Sequence, residues 1–201
     1  MKSWLRRLTQ RCLELPALFG MLAAEGIDVR GARILDAGCG AGDSTRLLKA
    51  ELAPTRLQTI NLMPKMVELA RRSAVGAEVS VGDITALTEP DGAFDAVFVL
   101  GVLHHVPAWR EALRELARVT SDRGVLVIEE LQGRAVDFED RFLGTRHPKE
   151  ARFDWPTLRA GMRGAGFDIL RERSVACCTP IRWPLFDGAR AFLCRKAGPT
   201  V

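Results

Sequence analysis

Three glycines, Gly38, Gly40 and Gly42, alternate with small residues directly after the apolar run Ile34-Leu-Asp-Ala. Where a strand ends and a helix begins, such glycines let the backbone turn tightly and come close to a ligand of nucleotide-like size. The spacing is GxGxG, whereas a dinucleotide site expects GxGxxG and would want glycine or alanine where Asp43 stands. An acid at the helix start is also a poor neighbour for a pyrophosphate, which that helix end would otherwise attract. Without a ligand, the same residues would simply make a tight strand-to-helix turn. His104 and His105 follow the apolar run 94–100, and either could take a proton from a hydroxyl, an amine or a carbon acid. His147, before Pro148, is a more distant candidate for that role. Glu129 and Glu130 close another apolar run, and could orient a substrate amine or serve as surface or helix-dipole charges. No metal-ligand spacing is present, and no metal is expected. The five cysteines, at positions 12, 39, 177, 178 and 194, are odd in number and form no CxxC, which fits a reducing compartment. The neighbours Cys177 and Cys178 could make a redox or metalloid site, but are read as packing residues.

The elements that must position these residues follow from periodicity. Short apolar runs at 33–37, 57–62, 78–81, 94–100 and 124–130 alternate with helical stretches at 43–52, 64–73 and 107–119, the pattern of a parallel sheet with crossover helices. Pro64 and Pro107 suit the first turns of their helices, and Asp122-Arg-Gly124 makes a turn before Val125-Leu-Val-Ile128. A helix at 155–165 and strands at 167–174 and 189–195 complete the chain. The segment 131–154, charged and poor in apolar anchors, reads as irregular; it follows a sheet strand on the side where ligands bind and is the candidate substrate lid.

The segment Ile34-Leu-Asp-Ala-Gly-Cys-Gly-Ala-Gly42 resembles motif I of class I S-adenosylmethionine-dependent methyltransferases, an acid followed by GxGxG. Further segments are similar in order and spacing: Val81-Gly-Asp-Ile84, the run Phe94 to Val106, Arg114 to Val119 and Gly124 to Ile128, with a weaker echo at Trp155 to Phe167. The likeness covers about residues 30 to 130. It implies a Rossmann-like α/β fold, doubly wound, with a mostly parallel sheet of about seven strands, helices on both faces and an antiparallel last strand. It implies S-adenosylmethionine as cofactor, with Asp36, Gly38 and Gly40 serving its methionine end, Asp83 facing the adenine amine and Ile84 packing on the ring. Leu62 and Leu100 complete the expected cofactor shell. The family usually places Asp or Glu at the tip of the second strand to accept both ribose hydroxyls; here Asn61 stands in that place. An amide can still accept one hydroxyl proton and donate to another oxygen. Asn61 could instead only cap the helix that starts at Pro64. His104 and His105 are the catalytic candidates, with a structural or cofactor-shell role open for at least one, because family members of this subtype often carry the pair.

With 201 residues, 47% of them apolar and 27% charged, the chain suits one domain able to bury a substantial core. Its expected divisions are N-terminal helices over 1–26, a cofactor-binding core over 27–130, the lid over 131–154 and a C-terminal helix and strands over 155–201. The net charge of +4 is scattered among 25 acids, so no nucleic-acid partner is expected. No apolar run is long enough to span a bilayer, and the expected location is the cytoplasm. Trp4, Leu5, Leu8, Cys12 and Leu15 form one helical stripe, which either packs on the domain or makes peripheral contact with a membrane. The expected activity is methyl transfer to a small-molecule acceptor. The alternatives are a binding protein for S-adenosylmethionine or a derivative, and a nicotinamide-dependent oxidoreductase, which the glycine spacing disfavours.

Overall fold

The apolar runs line up as one seven-stranded sheet in the order β3-β2-β1-β4-β5-β7-β6. A computed structural model describes residues 15–175 and 188–198; the expected first helix, Cys12, Cys177 and Cys178 lie outside them. The strands are β1 (Arg33–Ala37), β2 (Arg56–Asn61), β3 (Glu78–Val81), β4 (Phe94–Leu100), β5 (Thr120–Leu131), β6 (Phe167–Ser174) and β7 (Ala189–Lys196). The first five are mutually parallel, and β7 runs antiparallel to both β5 and β6. The helices are α1 (Leu15–Ala24), α2 (Asp43–Leu52), α3 (Pro64–Ser73), α4 (Trp109–Val119), α5 (Gly133–Phe142) and α6 (Trp155–Gly164). None of them is long and apolar enough to cross a membrane.

Two apolar layers explain why the central strands lack polar alternation. In β4 and β5, Val97, Val99, Leu126 and Ile128 face one layer with Leu113 and Leu116 of α4, while Ala96, Phe98, Val125 and Val127 face the other with Leu18 and Leu22 of α1. A strand covered on both faces reads as a continuous apolar run because each successive side chain enters a different core.

Three expectations change, the first at α4, which starts at Trp109 behind its N-cap Ala108, so that Pro107 precedes the helix and does not open it. The turn at Asp122-Arg-Gly124 does not precede β5 but lies within it: pairing with β4 jumps from Thr120 opposite Phe94 to Val125 opposite Ala96, so the intervening residues bulge out of register. The segment 131–154 is not irregular, since it holds α5 and a 3-10 turn at Lys149–Ala151. Its base is pinned where the Gly133 amide donates to the Phe153 carbonyl at 2.7 Å. The strand order reverses between β1 and β4, and in open α/β sheets ligands bind in the crevice beyond the strand ends at such a point.

Candidate active site at the tips of β1, β2 and β4

The loop after β1 holds its three glycines for different reasons. Gly38, Gly40 and Gly42 all have positive φ, at 93°, 53° and 88°. A Cβ on Gly38 would come within 2.4 Å of Val102, and one on Gly42 within 2.5 Å of Ser73 Oγ, but one on Gly40 would meet nothing within 4 Å among the described residues beyond its chain neighbours. The first and third glycines therefore permit close protein packing, and the second faces open space. The amides of Gly38 and Cys39 donate to the Ile60 carbonyl at 2.9 and 3.1 Å, which ties the loop to the end of β2. Cys39 offers no nucleophile: burial, helped by the Asp36 charge, pushes its thiol up to about 11.

Asp36 is 1% exposed, and its Oδ2 accepts from the hydroxyls of Ser44 at 2.8 Å and Thr45 at 2.6 Å. It therefore clamps the first turn of α2 to β1 rather than presenting a carboxylate to the crevice. Burial raises this carboxyl to about 6, against an ordinary 3.8, and the two hydroxyl bonds offset part of the rise. The folded protein thus keeps a proton that the unfolded chain has lost. The associated stability is complete below about pH 4 and is lost as pH rises through 6, a change on the order of 3 kcal/mol. Asp36→Asn keeps the shape and an acceptor oxygen but not the charge. Urea midpoints of the wild type should therefore fall relative to those of the variant between pH 4 and 7; parallel midpoints would show that Asp36 titrates alike in both states.

The tips of β2 and β3 place the remaining cofactor candidates. Asn61 Oδ1 accepts from the Met63 amide at 2.9 Å, a side-chain turn leading into α3, whose N-cap is Met63. The bond orders the approach to the helix and leaves the side chain half-buried beside Val81, its register partner. Leu62, Met63 and Val81 are exposed, at 66%, 56% and 53%, an apolar group that a flat ring would cover. Asp83 is exposed rather than enclosed, and its Oδ1 accepts from the Thr85 amide and hydroxyl at 2.8 and 2.7 Å. Ile84 and Leu100 are buried in the two core layers, so they form the floor beneath the crevice.

A 3-10 turn at Leu103–His105 follows β4. Val102 lies against Gly38, so this turn packs directly on the glycine loop. Glu130, 1% exposed at the end of β5, organises the turn: Oε1 accepts from the amides of Val102 at 2.7 Å and Leu103 at 2.6 Å, and Oε2 lies 2.6 Å from His104 Nδ1. A carboxylate at Nδ1 fixes the proton there and makes Nε2 the basic nitrogen of His104. His105 is exposed, and its ring stacks on His147 with centroids 4.7 Å apart. His147 reaches the turn from the segment after α5, and its Nδ1 lies 2.6 Å from Asp140 Oδ1. Burial would raise the Asp140 carboxyl, but bonds from His147 and Thr145 prevail and hold it at about 2.

Residues named from the sequence thus gather at one end of the sheet, with Asp36, Ile84 and Leu100 beneath the surface rather than on it. Sequence reasoning left Glu130 among several possible charges, since its partners lie across two strands. The convergence of His147 on the pair had no local signal.

The comparisons agree with this geometry. A family profile described as a methyltransferase domain matches residues 35–128. The chain is 33% identical over 130 residues to the ubiquinone biosynthesis O-methyltransferase of Xanthomonas oryzae pv. oryzae, covering 60% of this chain and 52% of that protein. It is 35% identical over 101 residues to the 2-methyl-6-phytyl-1,4-hydroquinone methyltransferase of Synechocystis sp., covering 49% of this chain and 31% of that protein. The chain therefore spans between about a third and a half of these relatives. The crystal structure of an S-adenosylmethionine-dependent methyltransferase from Mesorhizobium loti superposes with a TM-score of 0.72 at 21% identity, over 90% of this chain and 97% of that one. Over residues 35–128 the chain matches a methyltransferase domain, and it shares the fold of the S-adenosylmethionine-dependent methyltransferase from Mesorhizobium loti.

Proposed function

We propose that the chain binds S-adenosylmethionine in the crevice between β1 and β4 and transfers its methyl group to a small-molecule acceptor. The observation that carries this reading is the direct contact of the two loops through Val102 and Gly38, which sets the loop of the open glycine Gly40 against the turn that carries a histidine oriented by a buried carboxylate. The names of the two relatives, one for a hydroquinone and one for ubiquinone biosynthesis, support an acceptor bearing a hydroxyl.

The residues present fit the cofactor. Gly40 leaves room for a chain passing over the loop, Leu62, Met63 and Val81 offer apolar cover for a ring, and Asn61 and Asp83 offer polar atoms at its rim. When bound, the sulfonium supplies an activated methyl group for in-line displacement. The protein's work is then alignment, and His104 with Glu130 behind it accepts the acceptor's proton at Nε2. The segment 131–154 covers this end of the sheet through His147, where a substrate lid would close. Titration with S-adenosylmethionine, followed by transfer of labelled methyl to a panel of phenols, quinols, amines and carboxylic acids, tests the reading. Binding without transfer to any acceptor would favour the alternative, a binding protein.

Asn61 is the residue on which those two readings divide. A hydrogen bond to a charged group contributes roughly 1.5 to 3 kcal/mol against about 0.5 to 1.5 for a neutral one, and 1.4 kcal/mol is tenfold in affinity. Asn61→Asp keeps an oxygen for the Met63 amide, so the turn survives. Calorimetry should show S-adenosylmethionine and S-adenosylhomocysteine bound about three- to thirtyfold more tightly by the variant. Unchanged or weaker binding would mean that residue 61 serves only the turn.

A further inference from the structure

All three histidines of the chain stand together at this end of the sheet, although two come from the turn after β4 and one from the segment after α5. Ring centroids are 4.2 Å apart for His104 and His105, 4.7 Å for His105 and His147, and 5.3 Å for His104 and His147. One ring nitrogen from each lies within 4.8 Å of the other two. An imidazole can ligate a cation through a ring nitrogen, so three rings this close bring three nitrogen donors within reach of one ion. The two buried rings also share a second feature: each is held at Nδ1 by a carboxylate at 2.6 Å, His104 by Glu130 and His147 by Asp140. A carboxylate on the far ring nitrogen is the arrangement that orients metal-binding histidines and raises their basicity.

We propose that His104, His105 and His147 form a binding site for a divalent first-row transition metal such as zinc, with Nε2 of His104 and His147 as ligands. An all-nitrogen set excludes magnesium and calcium, which take oxygen ligands, and suits zinc, cobalt, nickel or copper. Tetrahedral bonds of about 2.0 Å place ligand nitrogens about 3.3 Å apart, so binding draws the rings closer together. His105 is exposed and makes most of that adjustment. Three protein ligands leave one coordination position open, the form of a catalytic rather than a structural site.

The role of that open position rests on the methyl-transfer reading. An acceptor hydroxyl bound there becomes more acidic and gives its proton to solvent. The oxygen's lone pair then forms the new bond to the methyl carbon while the carbon–sulfur pair returns to sulfur. In the metal-loaded chain His104 and Glu130 hold the ion and the ion frees the acceptor oxygen; in the metal-free chain Nε2 of His104 remains the base.

The test uses the whole chain, stripped with a chelator and dialysed, then titrated with zinc chloride by calorimetry and with cobalt chloride by visible absorption. One ion per chain is expected, with the ligand-field bands of tetrahedral nitrogen coordination. Asp140→Asn should weaken zinc by about ten- to a hundredfold, as loss of an outer carboxylate does. His105→Ala and His147→Ala should weaken it more, and His105, being exposed, is replaced without disturbing the core. Absence of binding, equal binding by these variants, or sulfur-to-cobalt charge transfer from cysteine ligands would overturn the site. S-adenosylmethionine affinity is measured in parallel on the same samples. Zinc binding without cofactor binding would retire the methyl-transfer reading and keep the metal site; the converse would keep that reading and retire the metal.

Discussion

Gly40→Leu is expected to lower S-adenosylmethionine affinity by at least about a hundredfold while leaving the protein folded. Beyond its chain neighbours, no atom of the described residues lies within 4 Å of the position its Cβ would take, so the added side chain enters the space proposed for the ligand. A steric block of a few kcal/mol corresponds to two decades or more of affinity. The backbone there has φ of 53°, which costs an L-residue roughly 1 to 2 kcal/mol, a tolerable fraction of a domain's stability of about 5 to 15 kcal/mol. Leucine is chosen because β-branched residues resist positive φ most strongly. The neighbouring glycines would make poorer tests, since a side chain at Gly38 or Gly42 strikes Val102 or Ser73 and disturbs the fold itself. Calorimetry with circular dichroism checks both halves: a folded variant with wild-type affinity would remove the cofactor from this loop.

Glu130→Gln is expected to reduce turnover by about a hundredfold or more with cofactor affinity changed less than about twofold, the pattern of a lost proton-transfer step. The amide oxygen can still accept from Val102 and Leu103, but the amide nitrogen then faces His104 Nδ1 and forces the other tautomer. Nε2 becomes a donor and loses its basic lone pair. His104→Gln should produce a loss of the same order, and the double variant should lose little more, because the two residues act as one unit. Additive losses would assign them separate tasks. Wild-type turnover in either variant would leave methyl transfer to positioning alone.

What the sequence disclosed and what it concealed divide along the range of the interactions. The strands β1 and β4 and the helix α3 have the bounds expected of them, because burial on both faces and proline at a first helical turn are local signals. The helix α5 was not foreseen: it is short, charged and buries Val136 alone, so its apolar periodicity is too weak to separate from a loop. The same holds for the bulge in β5, which depends on pairing with β4 and not on its own composition. At the site, the acid before the glycines was legible but its task was not, since Ser44 and Thr45 claim it only once α2 packs on β1. Likewise the sequence marks Ile84 and Leu100 as apolar, but whether such residues face a ligand or a core depends on the layer beneath them. The histidine cluster is the extreme case, since His147 meets the pair only because the Gly133 amide and the Phe153 carbonyl close its segment back on the sheet.

The central claim is that the crevice between β1 and β4 holds S-adenosylmethionine, and crystals grown or soaked with S-adenosylhomocysteine test it most directly. Difference density is expected to pass over Gly40, with the ribose at Asn61, the adenine against Leu62 and beside Asp83, and the sulfur directed toward His104. Density elsewhere on the protein, or a crevice that stays empty at ligand concentrations well above the Kd measured for the same preparation, would contradict it.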